Sequence, residues 1–61
     1  MTRYRWTVGP VGGPPTRVGQ WHPTAKAARV AAASAGVARR DRDTDTIYLD
    51  ALTEIESEGR R

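Results

Sequence analysis

The sequence predicts a small α+β domain of ββαβ type. In it, a two- or three-stranded antiparallel sheet carries one alanine-rich helix on one face, followed by a short acidic C-terminal segment, strand or helix. Three observations predict it. Residues 25–35, Ala-Lys-Ala-Ala-Arg-Val-Ala-Ala-Ala-Ser-Ala, are built on the strongest helix former and contain no breaker. Arg3-Tyr-Arg-Trp-Thr-Val8 alternates polar with large apolar residues, the period of a half-buried strand. Apart from valine, the helix has no bulk, whereas Tyr4, Trp6, Val8, Val18, Trp21, Ile47, Tyr48, Leu49, Leu52 and Ile55 lie outside it. A sheet must therefore supply the core.

Composition sets the scale. A chain of 61 residues makes one small domain, read here as residues 1–58 with 59–61 a disordered tail. Such a chain buries only about 60% of its unfolded surface. With no cysteine there is neither a disulfide nor a thiolate metal site, which fits a reducing compartment. No apolar run approaches the ~18 residues of a membrane span, and no signal-peptide core is present. The expectation is a soluble, cytoplasmic protein that contacts no membrane and needs no cofactor. Nine arginines against one lysine, with nine alanines, point to a GC-rich coding background, that of an actinobacterium-like host or its phage or plasmid.

The first strand places Tyr4, Trp6 and Val8 on the helix side and Arg3, Arg5 and Thr7 on the other. Gly9-Pro-Val-Gly-Gly-Pro-Pro15 cannot be helix or central strand. It lacks the Lys-Ser/Thr and following helix of a phosphate-binding loop, so it reads as a hairpin connection. Thr16–His22 is the returning strand, with Gly19 marking a bulge or a close backbone approach. If Val18 shares the core face with Trp6, then Arg17 and Trp21 join Arg3 and Arg5 outside. A bulge at Gly19 instead turns Trp21 inward, and that alternative is slightly preferred.

Thr24 caps the helix and Gly36 closes it. Ala27, Val30, Ala33, Ser34 and Val37 share one side at 100° per residue. His22 has no second histidine, cysteine or activated nucleophile to work with, and reads as structural. Residues 37–46 read as a charged, solvated loop. Arg39, Arg40 and Arg42 there complement the helix dipole and are candidates for phosphate contact. Read as a strand, the run from Thr46 turns Ile47, Leu49 and Ala51 to the core and Tyr48, Asp50 and Leu52 outward; read as a helix, it gathers Ile47, Tyr48, Ala51, Leu52 and Ile55 on one arc. The Thr-Ile-Tyr-Leu content favours a third strand at Thr46–Asp50. The rest, to Glu58, reads as a short helical or frayed acidic segment.

The net charge of +3 is unevenly divided. Residues 1–42 hold eight cations against Asp41 alone, net +7; residues 43–61 hold six carboxylates against Arg60 and Arg61, net −4. One reading is a polyanion-facing body with an acidic tail; the other is mutual neutralisation within the globule.

Trp6-Thr-Val8, the Gly-rich turn, Arg17, and Trp21-x-x-Thr24 leading into Lys26-Ala27-Ala28 resemble the arm-type DNA-binding domains of phage tyrosine integrases. The resemblance covers residues 4–33. It implies a small basic sheet, backed by a helix, entering the major groove of duplex DNA. That family has three strands ahead of its helix, and this chain has room for two.

Two functions compete. The first is nucleic-acid binding by an Arg-bearing hairpin through Arg3, Arg5, Arg17 and Trp21, with Arg39, Arg40 and Arg42 on a flank, because a guanidinium suits phosphate and guanine recognition. The second is a protein-interaction module, a modulator of a host protein or a homodimer formed through its sheet, since tryptophan, tyrosine and arginine make interface anchors and small sheets leave edges open. The carboxylates cluster away from any evident cleft, so no enzyme is expected.

Overall fold

The structure is a computed structural model that describes residues 1–59. It is an α+β fold with the order β1 (Thr2–Val8), β2 (Arg17–Val18), α1 (Ala25–Ser34), β3 (Ala38–Asp41), β4 (Thr46–Leu49) and β5 (Thr53–Gly59). One antiparallel sheet has the order β2-β1-β5; β3 and β4 form a second, two-stranded sheet. The predicted sheet and its packed helix are both present, but the third strand of that sheet is the C-terminal acidic segment, a strand rather than a helix. The strand expected at Thr46–Asp50 pairs instead with β3 in the second sheet.

The helix obeys its local signals. Thr24 Oγ1 accepts from the Ala27 amide at 3.1 Å. At the other end Gly36 adopts φ 81°, its N–H donates to Ala33 O, and that of Val37 donates to Ala32 O. This pair of bonds satisfies orphan carbonyls and folds Val37 back onto the helix it terminates. The buried stripe differs from the expected one. Ala28 and Ala32 are fully buried, with Ala31 and Ala35 packed beside them, while Val30 stays half-exposed. Side chains this small leave room against the sheet for the Trp6 indole, which is the bulkiest buried group.

Trp6, Ala32 and Val37 form the core, joined by Val8, Ala38, Leu49 and Ile55. Tyr4, Trp6 and Val8 face the helix as expected. Residues 37–46 are not the expected loop. Ala38 and Arg40 lie opposite Leu49 and Ile47, so β3 borrows from β4 the apolar bulk it lacks. Its turn is made by aspartates: the Asp43 amide donates to Asp41 Oδ1 at 2.9 Å, and Asp45 takes φ 55°. Tyr48 and Leu52 face solvent, as the strand reading required. Ala51, expected in the core, is exposed because the chain turns at Asp50, whose carbonyl accepts from Thr53 N–H. Glu58 and Gly59 both belong to β5, although Gly59 was expected in the tail; the remainder of that expected tail lies outside the described residues.

Candidate interaction surface

Opposed residues of an antiparallel pair share a face, so the register assigns the outer surface of the sheet. Thr7 pairs with Val18 and Val8 with Arg17, yet Tyr4 bridges His22. Between those pairs β1 spends two residues, Arg5 and Trp6, and the returning chain three, Gly19, Gln20 and Trp21. One extra residue is a β-bulge. The expected bulge is there, but it does not turn Trp21 inward. Val18 starts on the outer face, so the slip returns Trp21 to that same face and puts His22 on the helix side.

Arg3, Arg5 and Trp21 therefore meet. The guanidinium carbons of Arg3 and Arg5 lie 4.1 and 4.5 Å from the Trp21 ring centroid. Each such contact is worth about 0.5–1 kcal/mol when exposed. Arg17 does not join them. It opposes Val8 on the helix side and lies over Trp6, 5.5 Å from that ring's centroid. Gly19 explains how the indole fits: a Cβ there would fall 2.5 Å from Trp6 Cε2 and 2.6 Å from Cδ1. The close backbone approach expected at Gly19 is thus present.

The acidic strand supplies the rest of the face. Arg3 pairs with Glu58, Arg5 with Glu56 and Thr7 with Glu54. Arg3 Nη2 donates to Glu58 Oε1 at 2.9 Å, and Arg5 Nε to Glu56 Oε2 at 2.7 Å. Both pairs are partly solvated and worth only about 0–1 kcal/mol each. Their effect on potential is larger than their effect on stability: across β1 and β5 the outer face sets three carboxylates against two guanidiniums.

Arg39, Arg40 and Arg42 are carried by the second hairpin and its turn. Arg40 binds Asp45 Oδ1 through both Nε and Nη2, and Lys26 Nζ lies 3.8 Å from Oδ2. The Arg40 hydrogen bond and charge, then the Lys26 charge, hold the Asp45 carboxyl below its ordinary range. Arg39 opposes Tyr48 on the other side of the hairpin, and Arg42 is exposed in the turn. All three lie beyond α1, whose last turn itself contains no basic residue, on β3 and the turn that follows it. The seven candidates thus divide into an outer-face trio, a lone Arg17 and a hairpin group.

The residues missed at the sequence level are those of β5. Thr53-Glu-Ile-Glu-Ser-Glu58 has strict period-2 alternation, a strand signal outweighed by its helix-forming glutamates. Its second edge is open, since among the described residues no strand pairs with β5 except β1. The ladder fixes which groups that edge presents. Tyr4, Trp6 and Val8 bond toward the β2 side, so Arg3, Arg5 and Thr7 bond toward Glu58, Glu56 and Glu54. The backbone of Ile55, Ser57 and Gly59 then points outward.

No group of histidine and acidic residues with metal-holding geometry exists among the described residues. No helix is long and apolar enough to cross a membrane. No protein-family model matches the chain, and neither a curated protein nor a solved structure matches it.

Proposed function

We propose that this protein is a small interaction module that takes up an extended segment of a partner along the open edge of β5. The observation that supports this reading is an unpaired seven-residue edge strand without proline or bulge, guarded only by its three glutamates, which oppose acidic strands and not basic ones. Strand addition draws its affinity from main-chain hydrogen bonds and its selectivity from alternate side chains. Panning a heptapeptide library against the immobilised protein tests it. Binders should slow hydrogen exchange at the Ile55 and Ser57 amides. A library whose binders all leave those two amides unprotected refutes the reading.

A second reading, duplex DNA binding, keeps one observation in its favour. Arg17, Arg29, Arg39 and Arg42 have no carboxylate within salt-bridge distance among the described residues. Binding through Z phosphates would give a log–log salt slope of about −0.9Z on duplex DNA. A flat response eliminates it.

A further inference from the structure

We infer that the occupant of the β5 edge is a segment of another protein with basic side chains at alternate positions and an apolar residue between them. This rests on the reading of that edge as a strand acceptor and specifies what it accepts. β5 displays Glu54, Glu56 and Glu58 on one face, with Ile55 between them turned to the core side. An added strand of the same register sets its own alternate residues beside those carboxylates. β1 shows the complementary pattern on the opposite edge: Arg3 and Arg5 meet Glu58 and Glu56 while Trp6 meets Ile55.

The carboxylates retain capacity for a second cation. Arg3 engages only Oε1 of Glu58, and Arg5 only Oε2 of Glu56. Glu54 faces Thr7 and has no cationic partner among the described residues. Beside it, a cleft of about 190 Å³ is lined by Pro10, Val11, Pro15 and Leu52. Val11 and Leu52 are strongly exposed there, an apolar seat for a residue flanking the basic run.

Other occupants fit worse. Two copies joined edge to edge by an antiparallel two-fold keep their faces in common, so residues of equal parity oppose one another. Every such register sets glutamate against glutamate, and directly opposed like charges destabilise a strand pair. A nucleic acid would bring phosphates to the same carboxylates.

The test uses a synthetic peptide with the sequence of Thr2–Val8, which already pairs with β5 on its other side. Two variants accompany it, one with glutamine and one with glutamate in place of both arginines. The intact protein, isotope-labelled, is titrated with each while amide exchange is followed. The arginine peptide should protect Ile55 and Ser57, and the glutamate variant should bind roughly tenfold or more weakly, exposed ion pairs being individually small. Glu54→Gln combined with Glu56→Gln should narrow that difference.

Equal protection by all three peptides overturns the charge selection and leaves strand acceptance standing. Charge selection likewise falls, with strand acceptance intact, if panned peptides protect the edge and the arginine peptide does not. Failure of every peptide to protect it overturns both, and so does a homodimer that itself protects Ile55 and Ser57. Exchange of the peptide for β1, leaving those amides unprotected, also overturns the inference.

Discussion

Gly19→Ala is the most direct probe of how the sheet meets its core. The added Cβ would lie 2.5 Å from Trp6 Cε2 and 2.6 Å from Cδ1, where ordinary contact begins near 3.4 Å. Trp6 must retreat by about 1 Å, on the scale of the overpacking that typically costs about 1–3 kcal/mol. Any such shift disturbs its packing with Ala32 and Val37 in the core. Domains of this size have about 3–9 kcal/mol of stability in all, so a loss near 2 kcal/mol lowers Tm by roughly 8–16 °C. Thermal unfolding followed by near-ultraviolet circular dichroism measures both the shift and the indole environment. Gly36→Ala is the control: its Cβ meets nothing, and only its φ of 81° is strained, at a cost of about 1–2 kcal/mol. In a Trp6→Phe background the Gly19→Ala penalty should shrink, as a smaller ring yields space and coupled sites depart from additivity. A Gly19→Ala protein that melts within about 2 °C of the parent, less than the shift from 1 kcal/mol, with an unchanged indole signal would refute the packing described.

Three further outcomes are expected. Thr53 is buried opposite Val8 with its hydroxyl unpartnered among the described residues; Thr53→Val should gain about 1 kcal/mol by removing that desolvated group, and a lower Tm would contradict it. Trp21→Leu removes the ring beneath Arg3 and Arg5 and should cost about 1–2 kcal/mol, read by denaturant titration of the remaining Trp6 fluorescence. Because the Asp45 carboxyl is depressed in the folded state, its contribution to stability is full above the ordinary value of 3.8 and is lost as pH falls through the lower folded value. A carboxyl-carbon titration should place its midpoint below 3.8, and Arg40→Gln should raise it; a parent midpoint at or above 3.8 would rule out the ion pair.

The helix and β1 were legible because each is set by short-range chemistry: Thr24 and Gly36 bound the alanine run, and alternation alone orients Trp6. The faces of β2 were not. Which side Arg17 and Trp21 take depends on where one extra residue is placed between Val18 and His22, and weak alternation leaves that phase open. β3 escaped notice because its own sequence has no bulk; Ala38 becomes a core position only once Leu49 lies across from it. For β5 the alternation was visible, but glutamate's helix preference competed with it until pairing with Arg3 and Arg5 decided the matter. Of the candidate site, the shared face of Arg3 and Arg5 followed from period-2 alternation in β1, whereas the preferred inward reading of Trp21 failed because Val18, opposite Thr7, starts on the outer face. The neutralisation of those arginines by Glu56 and Glu58 was present in the charge asymmetry, as one of two open alternatives.

The β1–β5 ladder joins residues 45 to 57 positions apart. Closing a loop of about 50 residues costs about 3.5 kcal/mol in chain entropy before any contact compensates it. The helix and the β3–β4 hairpin can form locally, on microsecond scales, whereas the strand that meets Arg3, Arg5 and Trp6 arrives only after nearly the whole chain has been brought round. Folding should therefore be slow for so short a polypeptide. Until that closure β1 lacks one of its neighbours, and the nascent protein resembles a sheet awaiting the kind of strand it later accepts on its far side.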